Sequence, residues 1–367
     1  MFSDRVVWFG GYAILFVFFA LSGFLITASA LRLGLSNFLI NRSLRIFPAL
    51  IVEIILSAFI LGPIFTILPI GHYLSSTQTL QYFTNIIGLI NYRLPGVFLD
   101  HPYKFVNASL WTVPYEFGCY ALMAGLIISG LLRRPGSIVV MIAISLIAGL
   151  LMMAAGVHGR EQGGVDSALR HLFFDRGSRL FVAFLGGILT FQLRYRLPYS
   201  WRWFGLATAL CVICAIMGEG QYPFPATDTL FFVPLCYIMA FLGVSAIPKL
   251  PFFHRGDYSY GIYLYGWPVT QAVRGVFPET GSHPFWLFMM SIVPITLFAA
   301  FSWHVIEKPV LRLRRRFSFV ARQRLAQSDA QPSLAGAECD HSEIESSDGQ
   351  VPTKGAPYAS SSMSQYK

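Results

Sequence analysis

Charged residues are scarce in this chain of 367 residues. Only 12% of the residues are Asp, Glu, Lys or Arg, about half the fraction that is usual in soluble globular domains, whereas 55% are hydrophobic. The net charge of +9 does not indicate nucleic-acid binding, because the basic residues lie at the ends of apolar stretches and in the tail rather than on a soluble domain. The composition therefore predicts a membrane protein.

Motifs of several other kinds of site are also missing. The sequence contains no cluster of metal ligands, no nucleophile elbow and no glycine-rich phosphate loop of standard spacing. Cys211 and Cys214 form a C-x-x-C within an apolar stretch, so we interpret them as packing residues rather than as a redox or metal site. The lack of an internal repeat disfavours a transporter built of paired halves.

Nine long apolar stretches run along the chain, and a helix needs about 20 apolar residues to cross the hydrocarbon core. A segment in lipid must satisfy its own backbone hydrogen bonds, so each stretch predicts a helix. The predicted spans are 9–31, 46–68, 109–133, 137–156, 178–194, 202–218, 228–247, 258–276 and 285–305. The sequence therefore predicts an all-α fold, a polytopic transmembrane helix bundle of about nine helices.

Lys and Arg are concentrated in every second gap between these spans, and only segment 157–177 is mixed. The basic gaps are 32–45, 134–136, 195–201, 248–257 and the start of the tail, whereas segment 69–108 holds only Arg93 and Lys104. The positive-inside rule makes the basic gaps cytoplasmic and predicts a cytoplasmic C-terminus. Nine helices then place Met1 outside, which predicts that one more helix belongs in front of residue 1.

The chain divides into a transmembrane domain, residues 1–316, and a cytoplasmic tail, residues 317–367. Beyond residue 326 the tail is rich in Ser, Ala, Gln, Gly and acidic residues, a composition typical of disorder. The outer segment 69–108 is long and carries apolar and aromatic patches, so we expect it to fold back onto the membrane face. Long ordered loops usually have a function.

Arg42 and Arg45 lie at the predicted cytoplasmic mouth of the second span. Residues three apart share one face of a helix, and each guanidinium can bind a phosphate through two hydrogen bonds. The pair therefore suits an anionic nucleotide such as coenzyme A that arrives from the cytoplasm. The alternative is that both arginines set the topology and bind lipid phosphates.

Glu116 lies near the outer end of the third predicted span. A carboxylate in a membrane helix is costly and usually faces a cavity or a partner, where it can accept a proton from a hydroxyl. The alternative is a helix N-terminal carboxylate, favoured by the macrodipole and by a Ser109 cap. Glu53, deeper in the second span, is a weaker candidate of the same kind.

Two histidines are further candidates for a base. His101 lies in the outer segment and His304 lies near the cytoplasmic end of the last predicted span. Either imidazole could take up a proton near neutral pH. The alternative for each is a structural histidine held by hydrogen bonds.

Five short motifs follow one another along the chain. They are 18–26 (FFALSGFLI), 42–48 (RSLRIFP), 107–116 (NASLWTVPYE), 257–265 (DYSYGIYLY) and 303–309 (WHVIEKP). Their order resembles the acyltransferase type 3 family of bacterial membrane proteins, and the resemblance covers nearly all of residues 9–316. Members of that family typically have ten helices and transfer acyl groups, most often acetyl, to sugars of exported or cell-surface polysaccharides.

The resemblance also implies roles for particular residues. The family's R-x-x-R pair, implicated in the acyl-CoA site, falls on Arg42 and Arg45, and its carboxylate after the Leu-Trp motif falls on Glu116. The family's first helix carries an Arg and a His thought to be the catalytic base, but this chain has no His before His72. Its first span corresponds to the family's second, so we expect the 367-residue form to lack one helix and to be inactive without it. Acetyl transfer by that form would instead place the base on a residue that is present, with His101 and Glu116 the first to test.

The resemblance therefore implies an O-acyltransferase of the inner membrane, with acetyl-CoA as donor and a polysaccharide or glycolipid as acceptor. Glu116 and His101 are the catalytic candidates, Arg42 and Arg45 the donor-binding candidates, and no metal or nucleic acid is expected. Two alternatives stay open: a transporter or flippase for a glycan or lipid carrier, and an inactive scaffold of the same family. Coenzyme A binding separates the enzyme from the transporter.

Overall fold

A computed structural model describes residues 2–154, 176–217, 225–245 and 256–317, and these residues form an all-α bundle. Nine helices in those ranges have 16 residues or more, three have six to ten residues, and a single helical turn, Gly62–Phe65, extends the second long helix. The helices are α1 (Phe2–Ala30), α2 (Leu35–Leu56), α3 (Ile70–Ser75), α4 (Thr77–Tyr82), α5 (Val113–Ile128), α6 (Pro135–Ala154), α7 (Arg176–Leu193), α8 (Trp201–Met217), α9 (Pro225–Val244), α10 (Ser259–Val276), α11 (Pro284–Phe301) and α12 (Lys308–Phe317). The predicted tail beyond residue 317 lies outside these ranges.

The predicted polytopic membrane bundle is confirmed, and each predicted span overlaps one long helix. By length and composition, three helical stretches of the described residues can cross a membrane: Ala13–Ala30, Leu35–Phe65 and Pro284–Arg312. The predicted start of the second span at residue 46 is wrong, because α2 begins at Leu35. Phe38 is buried in the core, so this earlier part of α2 gains from packing, and both Arg42 and Arg45 lie inside the helix.

Two long helices are elongated by π turns. α2 continues through the π turn Ser57–Leu61 into a last turn, Gly62–Phe65, and α11 continues through the π turn Ser302–Glu307 into α12. A π turn widens the helix locally and is frequent at functional sites. In each π turn the first residue is a buried serine whose hydroxyl donates to a buried glutamate, from Ser57 to Glu53 and from Ser302 to Glu307.

Glycines allow α1 and α7 to cross with their backbones in contact. A Cβ atom at Gly23 would overlap the carbonyl oxygen of Phe184, and a Cβ atom at Gly187 would overlap that of Ala20. Lipid chains are as apolar as leucine, so helices in a bilayer associate through close packing, which small residues permit. These two glycines therefore fix α1 against α7.

The apolar interior consists of two clusters of buried side chains. The first draws on α1, on Phe38 of α2 and on α5 to α9. The second draws on the rest of α2, on α10, on the segment between α2 and α5 and on Val113 at the start of α5. Tyr120 of α5 packs against both clusters, and Phe18 of α1 stacks on Tyr263 of α10 with ring centroids 6.2 Å apart. α5 consequently lies along the seam between the two clusters.

The outer segment is packed into the bundle rather than laid over it. Tyr73 and Tyr82 are fully buried, and the Tyr73 hydroxyl donates to the carbonyl oxygen of Ala58 at 2.7 Å. The stretch 101–109 then runs along α10, held by a series of hydrogen bonds. The hydroxyl of Tyr263 donates to Ser109 O (3.0 Å), Leu264 O accepts from Asn107 Nδ2 (3.0 Å), Trp267 Nε1 donates to Phe105 O (3.3 Å) and Gln271 Nε2 donates to Tyr103 O (2.7 Å).

Candidate active site

Arg45 forms an ion pair with Asp257, which lies two residues before α10. Arg45 Nη2 donates to Asp257 Oδ2 at 2.6 Å, and the two side chains are 39% and 40% exposed. Although burial acts to raise the pKa of Asp257, the Arg45 charge and a hydrogen bond from Ser259 hold that pKa below its ordinary value. Arg45 also lies within electrostatic range of Tyr120 of α5 and of Glu307 in the π turn after α11, so groups from these helices share one region with the ion pair.

Arg42 faces the same side of α2 as Arg45. Its Nη2 donates to the Ser29 hydroxyl at 3.5 Å, near the end of α1. Both arginines interact electrostatically with Tyr120 of α5, as expected for residues three apart on one helical face. Both cations therefore lie within electrostatic range of the same residue of α5.

Glu116 lies in the first turn of α5, as the sequence predicts, and is 7% exposed. Its electrostatic partners include Arg45, Tyr120 and Tyr260. No hydrogen bond joins the carboxylate to another residue in the part of the chain described here. The alternative of a Ser109 cap is wrong, because Thr112 is the N-cap residue of α5 and Ser109 lies in the preceding 3₁₀ segment, Ala108–Thr112.

The first turn of α5 lies inside the bundle, level with Arg45. α2 and α5 run antiparallel, because Phe47 contacts Phe117 while Phe38 contacts Tyr120. At a rise of about 1.5 Å per residue, α2 and its continuation extend about 20 Å beyond the level at which α5 starts. Glu116 is consequently placed beside the donor-binding candidates and not at the outer surface.

Glu53 belongs to a buried network that links α2, α10 and the turn before α5. Its Oε1 accepts hydrogen bonds from Ser57 Oγ at 2.7 Å and from Asn107 Nδ2 at 2.8 Å. Asn107 also donates to Leu264 O and accepts from the backbone N–H of Ser109 at 2.9 Å. Both residues are 1% exposed or less, so Asn107 fixes where the chain enters α5.

His101 lies at the other end of α10 from Arg45. Its Nδ1 is 3.1 Å from Oε1 of Gln271, and its ring stacks on Phe98 with centroids 4.7 Å apart. Gln271 lies about 20 Å along α10 from the level of Asp257 at the usual helical rise. Among the described residues no interaction joins His101 to Glu116, so the structure does not bring these two catalytic candidates together.

His304 and Glu307 lie near the Arg45 end of the bundle. His304 Nε2 is 3.0 Å from the hydroxyl of Tyr258, the residue after Asp257. Glu307 accepts a hydrogen bond from Ser302 at 3.0 Å and interacts electrostatically with Arg45. In the ranges that the structure describes, no group of three or more His, Cys, Asp or Glu side chains is arranged to hold a metal ion.

Four residues of this arrangement were not singled out by the sequence: Asp257, Asn107, Glu307 and Gln271. Asp257, Asn107 and Glu307 lie in three of the five motifs, and that position was their only signal. Gln271 lies in no motif, and an uncharged side chain in an apolar helix gives no sign of its partner. Contacts across 170 positions of sequence, such as that of His101 with Gln271, emerge only from the fold.

Four of the five motifs contribute side chains to the region around Arg45. Motif 42–48 supplies both arginines, motif 107–116 supplies Glu116, motif 257–265 supplies Asp257 and motif 303–309 supplies Glu307. The chain matches the acyltransferase domain family over residues 4–304, and it belongs to that family. It is therefore an integral membrane acyltransferase.

The chain is also similar to particular proteins, two of which are named as O-acetyl transferases. The chain is 26% identical over 319 residues to an O-acetyl transferase of Shigella phage Sf6, covering 82% of this chain and 85% of that protein. It is 29% identical over 335 residues to nodulation protein 10 of Rhizobium leguminosarum bv. viciae, covering 84% and 83%. It is 23% identical over 338 residues to the putative peptidoglycan O-acetyltransferase YrhL of Bacillus subtilis (strain 168), covering 82% of this chain and half of that protein. No solved structure matches the chain.

Proposed function

We propose that the protein transfers an acetyl group from acetyl-CoA to a sugar hydroxyl of a cell-surface or exported glycan. The observation that carries the proposal is the meeting of Arg45, Asp257, Glu307 and Glu116 in one region of a bundle that belongs to an acyltransferase family. The names of two relatives specify O-acetyl transfer, and one of these names specifies peptidoglycan. The peptidoglycan in the name of one relative supports a glycan acceptor, and an inner-membrane location is part of the same proposal.

The donor is bound at Arg42 and Arg45. Both guanidinium groups lie within electrostatic range of Tyr120 of α5, and each can bind two oxygens of a phosphate group. The ion pair with Asp257 engages one nitrogen of Arg45, which leaves the other donors of that guanidinium for the phosphate. The excess of basic residues at this end of the helices makes it the cytoplasmic end, where acetyl-CoA is available.

The chemistry requires that the acceptor hydroxyl lose a proton as it attacks the thioester. Two candidate bases occur at different levels of the bundle. Glu116 lies beside Arg45, and His101 lies towards the opposite end of α10. A positioned base of this kind typically accelerates transfer by about 10²–10⁴-fold, so removal of the correct one has a large effect.

The donor site is tested by the double variant Arg42→Ala with Arg45→Ala in the full chain in lipid nanodiscs. Coenzyme A binding, measured by equilibrium dialysis with labelled acetyl-CoA, should weaken at least about 100-fold, because two charge-assisted phosphate contacts of about 1.5–3 kcal/mol each are lost. The matched control is Arg32→Ala, which removes an exposed arginine near the same end of α2 whose Nε donates to the backbone of α1. Equal binding by the double variant and the control would contradict the donor site.

A further inference from the structure

A glutamine amide in α10 is held in one orientation by the outer segment. Nε2 of Gln271 donates to the carbonyl oxygens of Tyr103 at 2.7 Å and of Phe105 at 2.8 Å. Carbonyl oxygens only accept hydrogen bonds, so the NH₂ group of Gln271 must face them and the amide cannot be reversed. Oε1 of Gln271 is consequently directed at Nδ1 of His101, 3.1 Å away.

This geometry settles the tautomer of a neutral His101. Oε1 of an amide has no hydrogen to donate, so Nδ1 of the imidazole carries the proton and donates it to Gln271. The lone pair of the ring is then on Nε2. Within the described part of the chain Nε2 makes no hydrogen bond, and it is not sealed from solvent, although the residue as a whole is only 6% exposed.

The backbone beside His101 is strained in a way that supports the ring. Phe98 has φ of 52°, a left-handed conformation that only a few per cent of residues other than glycine adopt. Its buried ring stacks on the imidazole with an interplanar angle of 19°. Strain of this kind persists where the surroundings demand it and is concentrated at functional sites.

We propose that His101 is the acceptor-side base of the acyl transfer and that Gln271 is its positioning residue. The inference rests on the proposed function, in which a sugar hydroxyl reacts with the thioester. Nε2 of His101 takes the hydroxyl proton as the bond between the hydroxyl oxygen and the acyl carbon forms. The bond between that carbon and the thioester sulfur breaks, and the imidazolium returns the proton to the leaving thiolate, so coenzyme A departs as the thiol.

The location of His101 fits this role. The residue lies about 20 Å along α10 from the level of the Arg45–Asp257 pair, on the part of the outer segment that follows α10 back into the bundle. A glycan that approaches from outside therefore meets His101 before it meets Glu116. The donor must extend its acyl arm through the bundle from Arg45 to bring the thioester within reach of Nε2.

The test uses the full chain with ¹⁵N-labelled histidine in lipid nanodiscs. The His101 resonances are assigned by their loss in His101→Gln, and their shifts report which ring nitrogen carries the proton. The wild type should show the proton on Nδ1, whereas Gln271→Leu should show a mixture of tautomers. This measurement needs no acceptor and no activity, so it stands even if acetyl transfer is not the function.

Activity is measured as transfer of labelled acetyl from acetyl-CoA to glycans in washed membranes of the expressing cell. His101→Gln should lower kcat at least about 100-fold, and Gln271→Leu at least about tenfold, each with KM for acetyl-CoA changed less than about twofold. Such a split points to the chemical step rather than to donor binding.

Trp267→Phe is the matched control for loss of anchoring between α10 and the outer segment. It removes a hydrogen bond to the same carbonyl of Phe105 that Gln271 uses, but it leaves the contact of Gln271 with His101 intact. We expect the wild-type tautomer and a kcat within about threefold of wild type. A wild-type His101 protonated on Nε2, a Gln271→Leu variant that behaves like Trp267→Phe, or full activity of His101→Gln would each overturn the proposal. Absence of acetyl-CoA binding by the wild type would instead count against the proposed function.

Discussion

Replacing Asn107 with alanine should destabilise the bundle and displace Glu116. The substitution removes three hydrogen bonds at once: those to Glu53, to the carbonyl of Leu264 and from the backbone N–H of Ser109. Hydrogen bonds between helices in a membrane contribute about 0.6 kcal/mol each on average, which gives about 2 kcal/mol for three. Each group left buried without a partner can cost about 1–3 kcal/mol, so the expected loss is about 2–5 kcal/mol.

Asn85→Ala is a matched control for this prediction. Asn85 is also fully buried and also makes three hydrogen bonds, two from its NH₂ group to the carbonyls of Tyr82 and Asn91 and one accepted from the backbone of Asn91. All of its partners lie within the outer segment. The two variants should therefore lose similar free energy of unfolding, but only Asn107→Ala releases the turn that leads into α5.

The assay has two readouts. Unfolding in mixtures of mild detergent and dodecyl sulfate, followed by tryptophan fluorescence, measures the loss of stability, and acetyl transfer at a temperature where all variants are folded measures the position of Glu116. Asn107→Ala should lose at least about tenfold more activity than Asn85→Ala, since a small misplacement of a catalytic group can cost about 100-fold. A loss of stability below about 1 kcal/mol, or equal activity of the two variants, would refute the reasoning.

Two further predictions concern the charged groups around Arg45. Glu116→Gln keeps the shape of the side chain but removes its basicity, so acetyl transfer should fall by about 10²–10⁴-fold if Glu116 acts chemically. The control Glu279→Gln changes an exposed glutamate and should alter transfer by less than about threefold. An equally small change in Glu116→Gln would mean that Glu116 only packs in the bundle. Because the pKa of Asp257 is lowered, the ion pair stabilises the folded chain above the ordinary carboxylate pKa of about 3.9 and loses that effect as the pH falls through the lowered value. The free energy of unfolding should thus differ between the wild type and Asp257→Asn by a constant amount from about pH 7 to 5, and this difference should shrink below about pH 4. A difference that already shrinks near pH 6 would contradict the lowered pKa of Asp257.

Within the described ranges, the number of long helices could be predicted from the sequence because each apolar stretch must satisfy its own hydrogen bonds in lipid. The start of α2 could not, since the charges of Arg42 and Arg45 interrupt the apolar pattern, while Phe38 stabilises the earlier turns through burial that hydropathy does not record. The start of α5 at Val113, four residues after the predicted start of the third span, could not be predicted for a similar reason. Residues 107–112 are apolar enough to resemble a helix end, but Asn107 turns them into a 3₁₀ segment inside the bundle.

The sequence also gave candidate residues without their partners. Arg42, Arg45, Glu116 and His101 remain predictions as functional groups, but the structure shows what each of them contacts. The partner of Arg45 is a carboxylate more than 200 positions away, and the partner of His101 is an uncharged amide. Neither pairing follows from composition or spacing, because both depend on how α10 lies against the rest of the chain.

The crossing of α1 and α7 changes what the first of the five motifs means. Gly23 belongs to residues 18–26, and a glycine is required there because a Cβ atom would overlap the carbonyl oxygen of Phe184. At Gly23 the motif therefore provides a steric fit between two helices. A relative with a larger residue at the position of Gly23 should hold its two helices farther apart, and the same reasoning applies to Gly187. This part of the motif thus reflects how closely two helix backbones approach. Family members that act on different substrates can share it, because the packing does not depend on the substrate.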